Sequence, residues 1–308
     1  MEFGYARNVM CNKSGALNKP KKKTYQRYIN PLNNMLRKIC IIIGVVAFVL
    51  IATPIIGNRM TKSELDKDIE KLFAASENIS GKVYTSKQIK DLPLPVQIYF
   101  KYSLEDNQPY ISYARLQHGG QFRTKPDQKW MSIKGGEYFT AQKPGFVWLG
   151  KVSLFSAKDV YIDGNGNLKV KLLSFMKIVD VKGKEVDQGE LLRWLGEAPL
   201  FPTALLPSEN LRWVPIDNDS AKVIFTDKNL TVDGIFYFNE EGQITQFKTK
   251  RYKDKNLENF TGYYSDYRAV DGMKVPFYLE VTWNLESGDF RYAKFRVTKI
   301  EYNNPSKF

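Results

Sequence analysis

The sequence predicts an α+β protein that is mainly antiparallel β: a strongly curved half-barrel sheet, preceded by one transmembrane helix and by short helices, with one further helix on the concave side. Three observations lead to this prediction. A charge-free apolar run covers residues 39–56, short β-rich runs separated by Gly- and Asn-containing turns follow from Tyr110 onward, and one helical pattern interrupts them near residues 188–198. Such turns join antiparallel neighbours, whereas parallel strands need longer crossovers. A sheet of about ten strands or more curls or splits, so we expect curvature.

The N-terminal residues predict a membrane anchor. Residues 1–38 hold nine Lys and Arg residues against one acid, Glu2, and the next 18 residues, Ile39–Ile56 (ICIIIGVVAFVLIATPII), carry no charge. As a helix this run spans about 27 Å, enough to cross a bilayer. The positive-inside rule keeps the basic tail in the cytoplasm, so we predict a single-pass anchor at residues 39–57 in a bacterial cytoplasmic membrane, with the bilayer as partner and the rest outside. A cleavable signal peptide is the alternative. A start at Met35, which would leave residues 1–34 untranslated, is a second alternative.

Composition excludes several functions. The excess positive charge lies in the tail and not on a folded domain, so we expect no nucleic-acid partner. One His and two Cys in 308 residues exclude a disulfide framework and a Cys/His zinc site. Phosphate loops, nucleophile elbows and HExxH motifs are missing from the sequence, and we predict no cofactor and no metal. The lone His118 is of a kind that is usually structural.

Residues 58–106 are predicted to be a helical stalk with entry helices. Thr61–Ser76 has apolar residues at helical spacing, and Thr61 with Glu64 has the pattern of a capping box. A short helix is expected at Ser86–Asp91, and Pro95 suits the first turn of another helix that runs to Leu104.

Residues 107–308 are predicted to form the extracytoplasmic antiparallel β domain. The segment 163–167 (DGNGN) and the pair Asp271-Gly272 supply residues that tolerate positive φ between strands. Separate short strands are expected at 129–133 and 137–141. In the last strand, the apolar parity changes between Val297 and Ile300, as a β-bulge would produce.

The densest unusual signal is aromatic, around a helix at Gln188–Ala198 and the stretch Leu200–Pro207 (LFPTALLP). A curved sheet of this size can enclose an acyl-binding, aromatic-lined cavity, and core packing is the alternative explanation. Arg side chains here would meet an anionic headgroup or pair with an acid such as Glu190 or Asp266. The predicted ligand-binding residues are Trp148, Arg193, Trp194, Phe201, Arg115 and Glu190.

Carboxylate pairs offer a catalytic alternative, although we predict no catalytic residue. Asp187 with Glu190, and Asp159 with Asp163, are close enough in sequence to act together in hydrolysis. Their structural explanation is that the first pair complements a helix dipole and the second forms a turn.

Several sequence blocks together carry a resemblance: Asp91–Phe100 (DLPLPVQIYF), Lys143–Trp148 (KPGFVW), Asp187–Leu206 (DQGELLRWLGEAPLFPTALL), Asp266–Val270 (DYRAV) with Gly272–Pro276 (GMKVP), and Arg296–Asn303 (RVTKIEYN). They resemble an uncharacterised bacterial family of unknown function, whose members are typically membrane-anchored or exported. FPTALLP and DYRxVDG are its motifs here. The resemblance covers about Asp91–Asn303 and implies no established activity. The order of the last blocks is also similar to periplasmic lipoprotein carriers of the LolA/LolB kind, whose curved half-barrel holds acyl chains.

Three functions therefore stand open. The leading hypothesis is a membrane-anchored extracytoplasmic protein that binds a lipid or another amphiphile in a curved-sheet cavity. The second is an envelope hydrolase that uses Glu190 or Asp187 with Arg193. The third is a structural or interaction module without a ligand. A cavity of several hundred cubic ångströms favours the first, paired carboxylates of raised pKa in a cleft favour the second, and a closed interior leaves the third.

Overall fold

The computed structural model of the chain describes residues 22–308, with side chains from residue 33 onward. Most of the predicted basic tail, residues 1–21, lies outside the described residues. The chain divides after Ala52 into two units, and the second unit, Thr53–Phe308, contains the sheet.

The described helices are α1 (Lys22–Ala74), α2 (Leu94–Ser103) and α3 (Lys184–Glu197), with 3₁₀ turns at Ser86–Ile89, Ala198–Leu200 and Pro202–Leu205. The strands are β1 (Tyr113–Phe122), β2 (Met131–Thr140), β3 (Gly145–Val152), β4 (Phe155–Ile162), β5 (Asn165–Leu172), β6 (Met176–Val181), β7 (Leu211–Pro215), β8 (Ser220–Asp227), β9 (Leu230–Phe238), β10 (Ile244–Lys253), β11 (Asn256–Val270), β12 (Met273–Leu285) and β13 (Gly288–Tyr302). The two short strands expected at 129–133 and 137–141 are one strand, β2, and α3 begins four residues before the predicted Gln188.

All 13 strands form one antiparallel sheet in the order β6-β5-β4-β3-β2-β1-β13-β12-β11-β10-β9-β8-β7. Each half is a meander of neighbouring hairpins, and the pairing of β1 with β13 joins the halves. Asp163 (φ 56°) and Gly164 (φ 79°) make a tight turn between β4 and β5, because Gly and Asp tolerate the positive φ of a primed hairpin turn. The prediction of a mainly antiparallel, curved sheet is therefore confirmed.

The sheet curls until β4 and β8, which lie near its opposite ends, come into contact. β4 and β8 are nine strand spacings apart in the sheet order, which is about 43 Å in a flat sheet. Yet Tyr161 Oη at the end of β4 donates to Asp227 Oδ2 at the end of β8 over 2.7 Å, and Lys228 donates to the carbonyl of Asp163 in the facing turn. These contacts require a half-barrel.

Helix α3 lies on the concave side, where it contacts β5 and β4 of one half and β10 and β9 of the other. Its apolar residues Leu191, Leu192, Trp194 and Leu195 are buried in the main core. The segment after it turns back through the two 3₁₀ turns, which place Phe201 and Leu205 in the same core. Helix α3 thus fills the interior that the curled sheet encloses.

Helix α1 runs without interruption from Lys22 to Ala74, so the residues of the predicted stalk helix are helical to Ala74, but Thr61 lies inside the helix and the expected capping box at its start is not formed. Instead, Thr61 Oγ1 donates to the carbonyl of Ser174 over 2.9 Å, a tertiary contact that the local pattern does not reveal.

The part Asn33–Ala74 of α1 contains an 18-residue window of mean hydropathy 3.0, long and apolar enough to cross a membrane. Length and composition make it compatible with a single-pass anchor or with a signal sequence.

The end of α1 covers the convex face of the sheet. Ile69 and Leu72 pack against Tyr138, Val147 and Val160 in a second, smaller core cluster. Two ion pairs flank this contact, Lys158 with Asp68 and Lys171 with Glu64. The convex face is therefore apolar under the helix and charged beside it.

Candidate functional site

Helix α3 begins where β6 ends, and its start is set by local chemistry. Gly183 precedes it at φ 122°, a conformation that favours glycine. Asp187 in the first turn accepts a hydrogen bond from the backbone N–H of Gly166 over 2.6 Å. An acid in this position also complements the helix dipole. Asp187 is therefore held in a structural contact between α3 and β5.

Six residues further along α3, Arg193 lies at the centre of a buried ionic cluster. Its guanidinium donates to Glu137 Oε1 (2.8 Å), to Asp159 Oδ2 (2.6 Å) and to Glu197 (3.2 Å). The same group lies 4.8 Å from the ring centroid of Trp148, which adds a cation–π contact. Arg193 thus ties α3 to β2, β3 and β4.

A second Arg continues the cluster toward the opposite half of the sheet. Arg251 of β10 lies 3.7 Å from Glu190 of α3, and its Nε would be 3.2 Å from a Cβ placed on Gly189. Glycine at position 189 lets the guanidinium lie against the helix backbone. Helix α3 therefore places Glu190 against Arg251 of one half of the sheet, and Arg193 against Glu137 and Asp159 of the other half.

Burial changes the protonation of these acids. Burial raises the pKa of Glu190 to about 8, and the nearby Asp159 adds to the increase. Burial likewise raises the pKa of Glu137 and of Asp159, against the opposing effect of Arg193. Glu190 Oε2 and Asp159 Oδ1 are buried without a hydrogen-bond partner. The carboxyl of Glu190 therefore keeps its proton to a higher pH than a solvated glutamate does.

The structure brings three of the six predicted ligand residues together. Trp148, Arg193 and Glu190 belong to this cluster, and the Trp148 indole N–H also donates to His118 Nε2 over 2.8 Å. Burial lowers the pKa of His118 to about 4, so this imidazole is neutral and structural.

The other three predicted residues lie elsewhere. Trp194 and Phe201 pack against each other in the core with ring centroids 5.8 Å apart, and neither has exposed surface. Arg115 lies on β1, where it pairs with Glu301 and donates to the Ser306 carbonyl over 2.7 Å. Arg side chains were expected to pair with Glu190 or Asp266, and the structure pairs Arg251 with Glu190 and Arg268 with Asp266.

An opening in the sheet wall lies next to the cluster. β9 and β10 pair only from Phe238 with Ile244 to Ile235 with Lys248, although both strands continue beyond that point with their other neighbours. Next to the last backbone pair, Thr249 Oγ1 of β10 donates a hydrogen bond to the Asp233 carbonyl of β9 over 2.7 Å. Beyond it the strands separate around a cavity of about 700 Å³, which we call the β9–β10 slot.

The slot has an apolar inner end and a polar rim. Gln188 of α3 spans its base, donating to the Lys250 carbonyl over 3.0 Å and accepting from the Tyr252 N–H over 3.4 Å. Leu192 and Phe260 line the inner end, and the Arg251 guanidinium lies 5.4 Å from the Phe260 ring centroid. Charged and polar side chains at the slot include Lys248, Lys250, Asn259, Thr261 and Asn284.

Most of the slot cannot be recognised from the sequence. Lys248 and Lys250 look like ordinary outward strand residues, and Glu137 is one acid in a Gly-rich strand. Their roles depend on where the β9–β10 ladder ends and on how far the sheet curls. Within the described part of the chain, no group of three or more His, Cys, Asp or Glu residues is arranged to hold a metal ion.

Comparisons with known proteins agree with the sequence resemblance. The model of a family of unknown function, DUF6544, matches residues 82–295, and the search of curated proteins finds no match. The chain is similar in structure to a LolA superfamily protein from Nitrosomonas europaea, with 10% identity, 68% of this chain and 92% of that chain covered, and a TM-score of 0.40. It is also similar to a DUF1329 family protein from Desulfovibrio piger, with 9% identity, 63% and 86% covered, and a TM-score of 0.37. Because the family model spans more than two thirds of the chain, the protein belongs to the DUF6544 family of unknown function.

Proposed function

We propose that this protein is a single-pass protein of a bacterial cytoplasmic membrane, anchored by residues 39–57 with its N-terminus inside, whose β domain binds a lipid or another amphiphile. The ligand occupies the β9–β10 slot. The observation that carries this proposal is the separation of the two strands, which opens about 700 Å³ in the wall of an otherwise continuous sheet. Ligand sites typically have volumes of about 300–1,000 Å³.

The chemistry of the slot fits an amphiphile with an anionic head. Lys248 and Lys250 are exposed at the rim, where they would meet a phosphate or carboxylate. Leu192 and Phe260 at the inner end offer apolar contact to a hydrocarbon part. Arg251 lies behind Phe260 and contacts the predicted residue Glu190, and the predicted residues Arg193 and Trp148 continue this buried layer. That layer would hold the wall of the slot in place.

The anchor supports the same function. The helix reaches mean hydropathy 3.0 over an 18-residue window, and basic residues precede the apolar run in sequence. A binding protein tethered in this way acts at the membrane that holds its ligand, and does not carry the ligand away from it.

Native mass spectrometry with lipid extraction tests the proposal on the full chain purified in detergent. The wild type is expected to retain an amphiphile, and the double variant Lys248→Glu, Lys250→Glu to lose occupancy by about tenfold or more. Lys274→Glu is the matched control, because both lysines lie over a Tyr ring. The Lys274 ammonium is 4.6 Å from the Tyr102 ring centroid, and the Lys248 ammonium is 4.5 Å from the Tyr237 ring centroid. A wild type that is empty and takes up no fluorescent fatty acid contradicts the proposal.

A second candidate, an envelope hydrolase, is favoured by one observation, the raised pKa of Glu190 beside that of Asp159. A carboxyl protonated near neutral pH can act as a general acid. Glu190 is only 4% exposed, so a substrate would have to reach it through the slot. Ester hydrolysis by the wild type that Glu190→Gln abolishes, with amphiphile retention unchanged, would favour this candidate over simple binding.

A further inference from the structure

Two neighbouring hairpin tips of the β domain expose large apolar side chains. The β3–β4 turn presents Leu154 (57% exposed) and Phe155 (43%), and the β5–β6 turn presents Phe175 (53%) and Met176 (57%). Exposed side chains of this size in one place usually mark a surface that meets a partner or a membrane. We call these four residues the apolar tips.

The apolar tips form one surface because the two turns are bonded to each other. The Leu173 N–H of the second turn donates to the Leu154 carbonyl of the first over 2.6 Å. Adjacent strands carry the turns, with Phe155 paired to Leu172 and Leu172 in turn paired to Met176. Their exposed side chains therefore lie side by side.

The second turn also packs on helix α1, at the point where the apolar run of the sequence ends. Gly57 is buried there, and a Cβ on it would lie 2.9 Å from the Leu173 carbonyl oxygen. One turn further on, Thr61 donates to the Ser174 carbonyl over 2.9 Å. Gly57 follows directly after Ile56, the last residue of that run. A helix rises about 1.5 Å per residue, so the apolar tips are fixed beside the first helical turn after it.

We infer that the apolar tips insert into the interfacial layer of the bilayer that holds the anchor, and so dock the β domain on the membrane surface. This inference rests on the proposed anchoring of residues 39–57 but not on the ligand. A lipid surface is the partner because the second turn packs on Gly57, which directly follows the apolar run that we propose to span the membrane. At the acyl and headgroup boundary, side chains such as Phe, Leu and Met leave water.

The charges beside the tips are compatible with this surface. Lys151 is exposed before the first turn, and Lys177 after the second is 2.8 Å from Asp180. Lys171 is held by Glu64 of α1 over 2.9 Å. Lysines near the headgroups of anionic lipids are attracted to them. Because acids neutralise Lys171 and Lys177, insertion of the apolar side chains is the main contribution to docking.

Docking also has a structural consequence. A domain held by the helix alone could tilt about it, whereas a domain held by the helix and by two hairpin tips is fixed in orientation relative to the membrane. The tips lie on the half of the sheet formed by β1–β6, so this half would face the bilayer first.

Lipid-quenching fluorescence on the full chain tests the inference. In a Cys11→Ser, Cys40→Ser background, a single Cys at Phe175, Ile216 or Ile43 is labelled with an environment-sensitive fluorophore. Each protein is reconstituted in vesicles of phosphatidylethanolamine and phosphatidylglycerol that carry nitroxide lipids. Phe175→Cys reports the tips, Ile43→Cys the anchor, and Ile216→Cys, 48% exposed in the β7–β8 turn, is the matched control.

The label at position 175 is expected to lose most of its emission to headgroup-level nitroxides, and the label at 216 to keep it. If the label at 43 is quenched by nitroxides deep in the bilayer and the label at 175 is not, the anchor stands and the docking is refuted. If neither is quenched, the anchoring fails and the docking with it. A blue shift at 175 without quenching would indicate contact with a second copy of the chain, which also overturns the inference.

Discussion

Replacing Arg193 by Met tests the role of the buried ionic cluster. The change keeps an unbranched apolar side chain but leaves Glu137, Asp159 and Glu197 without the cation that each contacts within 3.2 Å. The side chains of Arg193 and Glu137 are only 12% and 5% exposed, so water replaces little of the lost interaction. Removing one partner of a buried ion pair costs about 3–5 kcal/mol. For a domain of this size that corresponds to a decrease in Tm of roughly 6–20 °C.

The assay is urea unfolding of the full chain in detergent, followed by tryptophan fluorescence at two pH values. Arg268→Met is the matched control, since Arg268 bonds Asp266 over 2.8 Å but is half exposed, and exposed pairs contribute about 0–1 kcal/mol. The deficit of Arg193→Met should shrink as pH falls, because protonation removes the unpaired charges of Glu137 and Asp159. Equal losses for the two variants at neutral pH would refute the reasoning.

Two further predictions concern Glu190 and the glycines of the sheet. The folded-state pKa of Glu190, about 8, lies above its ordinary value of 4.5, so the wild type loses stability as pH rises through that interval. Glu190→Gln should remove this decline, and thermal unfolding at pH 5 and pH 9 measures it; parallel pH profiles would count against a buried proton. Gly234→Ala should destabilise the folded domain by about 1–3 kcal/mol, because the added Cβ would lie 2.2 Å from the Phe247 ring. Gly119→Ala is the control: its Cβ would meet nothing within 4 Å, so it should change the stability little. Equal urea midpoints for the two variants would contradict this difference.

Local signals predicted the sheet well. The pair Asp271-Gly272 adopts the positive φ that its composition indicates, 48° and 80°. The change of apolar parity after Val297 corresponds to a register shift, since His118 pairs with Val297 while Gln117 pairs with Lys299. Turn composition and side-chain alternation are properties of a few consecutive residues, so the sequence displays them directly.

Contacts between distant residues were not predictable in the same way. Thr61 has the local pattern of a helix cap, yet it lies within α1 and bonds Ser174, 113 residues away. Arg193 and Arg251 are both typical surface residues by type, and only the curvature of the sheet brings Glu137 and Asp159 to Arg193, and Arg251 to Glu190. The slot depends on where a ladder ends, a property of two strands together that neither strand carries alone.

The pairing of β1 with β13 has a consequence for how the chain acquires its structure. Every other ladder joins strands that follow each other in sequence, so each meander can form soon after its own residues are synthesised. The central seam is different, because residues such as Ala114 and Tyr302 that pair across it are separated by nearly the whole domain. Until β13 has left the ribosome, β1 presents an unpaired edge. Joining the two meanders into one half-barrel therefore requires β13, the most C-terminal of the described strands.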